Sequence, residues 1–393
     1  MKKRKLTLIA LVLVLALLLA ACGGGGGGAL QQQPAAPAGG DSDFDENWPI
    51  INWRGASTWG EGNIHLEVDR HFAQVLSDLT GGRFNITVFP GGQLGADHQV
   101  LDMVAEGTVE VGFDWPGYWS GRDSGFDLLA TTMHNFSAMD YIIWIYEAGG
   151  LELYHHMYNQ FGVHYFPLVV HSMESGFRGT VPIEGLGDLE GMSIRLAGRI
   201  QGMVAERIGF NPVMISALEL YEAMSRGVVD AGEFSVPAAD FSLSLHEAAS
   251  YWWAPGWHQS AGVNGTLINM DAWNSLPANY QMLFEMAARI TVLDMMAAYH
   301  WEDFRVTRIM LEDYGVTVNF YPESDLDRIT IYVREAMAEM AADNPNYRLV
   351  YESMMRYRWW ADPYRDIMGR YGFGFSFPEF GFENRWTQPE PGR

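Results

Sequence analysis

One cysteine stands in 393 residues, and Cys22 therefore has no partner in the chain. A disulfide framework and a cysteine-built metal or dithiol centre are excluded. Positive charge is also scarce: 25 Lys and Arg stand against 48 Asp and Glu, a formal net charge of −23. Nucleic acid and anionic membrane surfaces are held by basic patches, which such a chain does not offer. GLGDLEG (Gly185 to Gly191) is not a GxGxxG fingerprint, and no P-loop, GxSxG, HExxH or CxxC occurs, so the common cofactor and catalytic motifs are missing. After residue 22 no apolar run is long enough to cross a bilayer, which excludes a channel built of spanning helices.

What is present begins with MKKRKLTLIALVLVLALLLAAC. Four basic residues, an apolar stretch from Leu6 to Leu19 and small residues before Cys22 make an export signal over 1–21. Leu19-Ala20-Ala21-Cys22 resembles the lipobox of bacterial lipoproteins, so Cys22 is expected to be acylated and to become the mature N-terminus. The next stretch, GGGGGGALQQQPAAPAGGDSD, has too few apolar residues to pack and reads as a flexible Gly/Pro-rich tether over 22–47. Without Lys2, Lys3, Arg4 and Lys5 the formal charge moves from −23 to −27. Only the lipid, then, would hold this body at a membrane.

The residues beyond Trp48 are too many for one ordinary core and suit two lobes. Ile64, Val68, Phe72, Val75 and Leu79 recur at helical spacing up to Gly81-Gly82, after which Phe84, Ile86 and Val88 alternate as a strand closed by Pro90-Gly91-Gly92. Strands alternating with helices imply an α/β fold. DMVAEGTVEVGFDW (Asp102 to Trp115) is echoed by EAMSRGVVDAGEFS (Glu222 to Ser235): a helix end, a glycine, and a short strand reaching a second glycine. Ligands of open α/β sheets bind beyond the carboxyl ends of strands, so Asp114, Trp115, Glu233 and Phe234 become cleft candidates.

Arg195 lies in GMSIRLAG, a strand-like run ahead of the helical stripe Ile200, Met203, Val204 and Ile208. At a strand end beside a cleft its planar fork suits a carboxylate; alternatively it makes a structural ion pair with Asp188 or Glu190. The stretch from Asp188 to Gly262, with FPGGQLGADHQVLDMVAEGTVEVGF and GYWSGRDSGFDLLATTMHNFSAMDYIIWIYEAGG upstream, resembles the solute-binding subunits of tripartite ATP-independent periplasmic (TRAP) transporters. It is most similar to the branch binding 2-oxo acids and related monocarboxylates.

The resemblance implies a two-lobed periplasmic-binding-protein-like α/β fold with a ligand cleft between lobes, no enzymatic activity, and integral TRAP membrane subunits as partners. It implies that Arg195 grips the ligand carboxylate and that a calcium or sodium ion is held by Glu233 and the carbonyl of Phe234. A family glutamine ligand has no counterpart in HSMESGF, where Glu174 or Ser172 falls nearest; a second carboxylate would favour calcium over sodium. Tyr118 and Trp257 are expected to line the cleft in the family manner, while clustered aromatics are otherwise core. His171 and His258 have no paired ligand spacing and read as structural or solvated.

Lobe one is expected at 48–170 and 236–295, and lobe two at 171–235 and 296–393 with a strand Val316 to Phe320 and a helix Leu326 to Ala342. The Phe-rich end YGFGFSFPEFGFENRW either covers a lobe or makes a homodimer contact. Two other readings are a binding subunit of an ATP-driven importer and a surface glycosidase using two carboxylates, Glu233 with Glu174 or Asp114.

Overall fold

A computed structural model describes residues 48–133 and 136–368. The signal, Cys22, the tether and the Phe-rich end lie outside the described residues. From Trp48 on, the chain builds two six-stranded sheets with helices against them.

In the first sheet, strand Ile51–Ser57 lies between Phe84–Phe89 and Val111–Asp114, parallel to both. Ala261–Asn269 runs antiparallel to Val111–Asp114 and also pairs with Thr131–Thr132 and Val163–His171. The expected first helix is there as Ile64–Leu79, started by the Asn63 side chain accepting from the His65 backbone N–H. It buries Leu66, Val68, Phe72 and Leu76, a 3.6-residue stripe. Each such side chain contributes about 1.5–3 kcal/mol of burial.

The second sheet runs Thr317–Phe320, Tyr251–Ala254, Phe177–Gly179, Ala231–Gly232, Ser193–Arg195, Asn211–Val213. Ser193–Arg195 is parallel to both of its neighbours, and Arg195 stands beside Gly232. The internal echo falls on corresponding parts of the two sheets. Gly107 and Gly227 end their helices at φ 73° and 68°, the left-handed region that glycine tolerates, and the strands that follow are Val111–Asp114 and Ala231–Gly232.

The expected lobe boundaries need correction in the second half of the chain. Tyr251–Ala254, assigned to lobe one, pairs with Phe177–Gly179 and Thr317–Phe320 in the second sheet. The chain returns to the first sheet only between residues 255 and 260. Nor does it break at 295: a single helix spans Ala278–Glu312, because Tyr280, Phe284, Ala287, Val292, Val306 and Met310 bury one face along its whole length. The C-terminal helix Pro345–Met368 packs against Gly125–Ala130 and Gly150–Asn159, elements of the first half, and so leaves the second lobe.

The chain thus passes between the sheets at 172–176, at 255–260 and through the long helix. The first two passages touch backbone to backbone. A Cβ on Gly256 would overlap the carbonyl oxygen of Glu174, and one on Gly176, at φ 107°, would overlap that of Trp253. Gly256→Ala is expected to cost about 1–3 kcal/mol by overpacking. Thermal melts check this against Gly187→Ala, whose added Cβ meets nothing within 4 Å; equal melting temperatures of the two variants would contradict it.

Candidate functional site

Four strand ends and loops converge where the passages meet. Arg195 ends its strand fully buried, with 1% of its surface exposed. Its Nη1 donates to Glu233 Oε1 at 2.7 Å and to the Glu233 carbonyl at 2.6 Å, and its Nε donates to the Ile215 carbonyl at 3.2 Å. Among the described residues Nη2 donates to no acceptor. The expected alternative partners are not used: Asp188 instead accepts from the backbone N–H groups of Glu184 and Gly185. Arg195 is paired, but with Glu233, which local sequence spacing could not indicate because 38 residues separate them.

Glu233 follows strand Ala231–Gly232 and accepts on Oε1 from the Ala197 backbone as well as from Arg195. Its Oε2 is buried without a hydrogen-bond partner. Glu174 arrives on the first passage, its backbone N–H bonded to the Gln259 carbonyl, and its Oε2 lies 3.0 Å from His258 Nε2. His258, on the second passage, is also 3.8 Å from Glu233 Oε2, and its ring stacks on Phe177. One ligand atom from each of Glu174, Glu233 and His258 falls within 4.8 Å of the others, a spacing that suits a metal ion. Beneath them a second fully buried pair, Arg178 with Asp240 at 3.0 Å, braces the Ser235 backbone.

Burial governs the protonation of this cluster. Glu174 and Glu233 are both pushed upward by loss of hydration, which Arg195 opposes in each. His258 is pushed down to about 4 by the same desolvation and is neutral near pH 7. The set places two carboxyl groups against one guanidinium, burial disfavours leaving both as unpartnered anions, and the orphaned Oε2 of Glu233 fits a cation.

A narrow cavity of about 20 Å³ opens beside it. Arg195, Glu174, Phe234 and Tyr118 line it with Trp59 and Trp115. Phe234 lies with its ring 5.9 Å from the Arg195 guanidinium, and Tyr118 stands at 5.9 Å and 5.3 Å from the rings of Trp59 and Trp115. Ser172 is not among the lining residues. His65, His171, Asn264 and Gln259 add polar groups to the lining. Gln259 Oε1 is buried without a partner.

Several expectations change here. His258 joins the carboxylate cluster and His171 lines the cavity, although each had read as structural or solvated; no helical or loop spacing links either to Glu233. Trp257 does not line the cavity. It packs against Phe177 and His258, ring centroids 5.9 Å and 5.7 Å away. Asp114 does not line it either: its carboxylate accepts from the Trp119 indole N–H inside the first sheet's core.

A buried arginine beside a cluster that fits a cation, set between two sheets, agrees with the comparisons, whose family and structural neighbours are solute-binding receptors and not enzymes. The chain matches the model for bacterial extracellular solute-binding protein, family 7, over residues 56–344, and it belongs to that family. It is 29% identical over 313 residues, 79% of this chain and 85% of the relative, to the monocarboxylate 2-oxoacid-binding periplasmic protein of Nostoc sp. PCC 7120. A TRAP periplasmic solute-binding protein of Pseudoalteromonas atlantica, solved with sodium and pyruvate, is 25% identical with a TM-score of 0.78 over 84% of this chain and 99% of its own. One from Bordetella bronchiseptica, a dimer with calcium and picolinate, is 25% identical with a TM-score of 0.77 over 83% and 98%. The glycosidase reading is set aside with the enzyme class.

Desolvation raises Asp114 from 3.8 to about 8. A carboxyl raised in the fold binds its proton more tightly there than in the unfolded chain, so its contribution to stability is present in acid and lost as pH rises from about 4 to about 8. Asp114→Asn keeps an acceptor for Trp119 and is expected to flatten the fall of melting temperature across this range. An unchanged pH profile would contradict the assignment.

Proposed function

We propose that this chain is an exported receptor, anchored through acylated Cys22, that captures a small 2-oxo acid or related monocarboxylate with a cation and delivers it to TRAP membrane subunits. The reading is carried by one observation, the grouping of Glu174, Glu233 and His258 directly behind a small cavity whose wall Glu174 and Arg195 form. Nη2 of Arg195 takes the ligand carboxylate, and the guanidinium fork gives it direction as well as charge. Trp59, Trp115, Tyr118 and Phe234 cover the ligand's carbon skeleton.

Charge selects the cation. With both carboxyl groups ionised, as a cation would hold them, they and one guanidinium carry a single excess negative charge, and a bound monocarboxylate raises this to two. Calcium neutralises that total, whereas sodium neutralises half, and oxygen donors from Glu233, Glu174 and the Phe234 carbonyl suit a hard ion. His258, bonded to Glu174, orients that carboxylate from behind. The calcium-bound and sodium-bound relatives support a cation here, and the carboxylate at Glu174 favours the divalent one.

Calorimetric titration with pyruvate in calcium buffer tests the reading. Arg195→Lys is expected to lose about 2–5 kcal/mol, roughly thirty-fold to several-thousand-fold in affinity. Because Arg195 also neutralises Glu233, Arg195→Ala should lower the melting temperature too. Glu233→Gln should abolish the dependence on calcium. Wild-type affinity in Arg195→Lys, or binding indifferent to both calcium and Glu233→Gln, overturns the assignment. Anchoring is read separately: a fatty-acyl mass on an N-terminal peptide beginning at Cys22 is expected, and an unmodified cysteine removes the anchor.

A further inference from the structure

Two helices of the second lobe begin beside the end of the Arg195 strand. Strands Ser193–Arg195 and Asn211–Val213 are parallel neighbours, and each is followed by a helix, Arg199–Ile208 and Ala217–Ser225, whose first turn opens on the same edge of the sheet as Arg195. Each first turn is met by a carboxyl from the first lobe. The cap of Arg199–Ile208 is Gly198, which has no side chain to offer, and the Arg199 N–H donates instead to Asp127 Oδ1 at 3.3 Å. Asp127 belongs to Gly125–Ala130, 72 residues upstream. The helix Ala217–Ser225 is capped by Ser216, whose Oγ accepts from the Leu218 N–H and donates to Asp97 Oδ2 at 2.5 Å. Asp97 opens the turn that leads into Val100–Ala105, a helix packed on the first sheet. A third contact adjoins this one: Gly60, also of the first lobe, lies so close that a Cβ would stand 2.5 Å from Leu218 Cδ2.

We propose that Asp127 and Asp97 are latches: they complete helix ends of the second lobe only when the cleft is shut, and so set how fast a ligand leaves without touching it. Neither residue lines the cavity. The first N–H groups of a helix have no partner within it and carry its partial positive charge, so an oxygen acceptor is favoured there. Here the acceptors come from across the cleft. In an open cleft water takes their place, and opening therefore breaks both contacts at once. Burial lifts Asp127 to about 7, against the pull of the Arg199 N–H and guanidinium, but a carboxyl keeps an accepting oxygen in either protonation state. The other latch adjoins the cavity wall, since the His98 ring stands 5.3 Å from that of Tyr118. Both latches depend on the cleft and not on which acid fills it.

The test is stopped-flow release of pyruvate in calcium buffer from the exported chain with Cys22→Ser, which leaves no cysteine. Ser216→Asp keeps a cap for Leu218 but sets a carboxylate against Asp97, and release is expected to quicken roughly tenfold or more. Asp97→Asn in the same chain should restore it, because an amide donates where a carboxylate only accepts. Arg199→Pro removes the N–H that Asp127 takes, at a helix position that suits proline, and should quicken release roughly fivefold or more. Arg199→Ala keeps that N–H and should release at the parent rate. Melting temperatures of the ligand-free variants should stay near the parent's, whereas residues that merely support the fold would lower them and show neither the rescue nor the proline–alanine difference. Unchanged release in Ser216→Asp, no rescue by Asp97→Asn, or equal release from Arg199→Pro and Arg199→Ala each overturns the latches. A short bis-maleimide should also bridge Asp97→Cys and Ser216→Cys within one chain. Bridging beside a parent that binds no pyruvate would overturn the proposed ligand and uphold the latch; failure to bridge overturns the latch itself.

Discussion

The ion pair between Arg195 and Glu233, 2.7 Å apart with 1% of each side chain exposed, is the constraint on which the site depends. Removing two charges from water costs several kcal/mol per ion, and the attraction repays it only when the geometry is good and further hydrogen bonds complete each partner. Both conditions are built from backbone. Arg195 spends Nε and Nη1 on carbonyls of Ile215 and Glu233, and Glu233 Oε1 takes the Ala197 N–H. These groups sit in register only because Ser193–Arg195 and Ala231–Gly232 are parallel neighbours. Gly232 is required there: a Cβ would stand 2.9 Å from Leu220 and 3.4 Å from Arg195 Cβ.

Glu174 then makes the pair asymmetric. A second carboxyl group within reach of the first, with His258 neutral, sets two acidic groups against one guanidinium, and burial makes each hold its proton more tightly. The fold holds these groups there through two chain passages between the sheets, locked where Gly256 meets the Glu174 carbonyl. Those passages also join the lobes, so the residues that complete the site are the ones any relative movement of the sheets would disturb. Ligand capture and lobe geometry are coupled through the same few residues.

Arg195, Glu233, Phe234 and Tyr118 were legible because each belongs to a local pattern: a strand end, a glycine-marked echo, or a family motif. Glu174 was reachable through the missing glutamine. His258, Gln259, His65 and His171 were not, since they enter the site by way of passages whose course depends on long-range pairing and carries no periodicity. The same blindness misplaced Trp257, whose side chain faces the core behind the histidine, and Asp114, whose strand end points under the first sheet. YWWA, between 251 and 254, alternates as well for one sheet as for the other. Only its pairing with Phe177–Gly179 and Thr317–Phe320 decides, and that pairing moved the lobe boundary.

The central claim is that the two buried carboxyl groups of Glu174 and Glu233 take up a divalent cation together with the ligand. Equilibrium dialysis against calcium, with metal counted per chain in the presence and absence of saturating pyruvate, tests it most directly. One calcium per chain is expected, bound more tightly with pyruvate by the same factor by which calcium tightens pyruvate. No calcium retained at saturating pyruvate, or sodium retained in its place at equal concentrations, would contradict it.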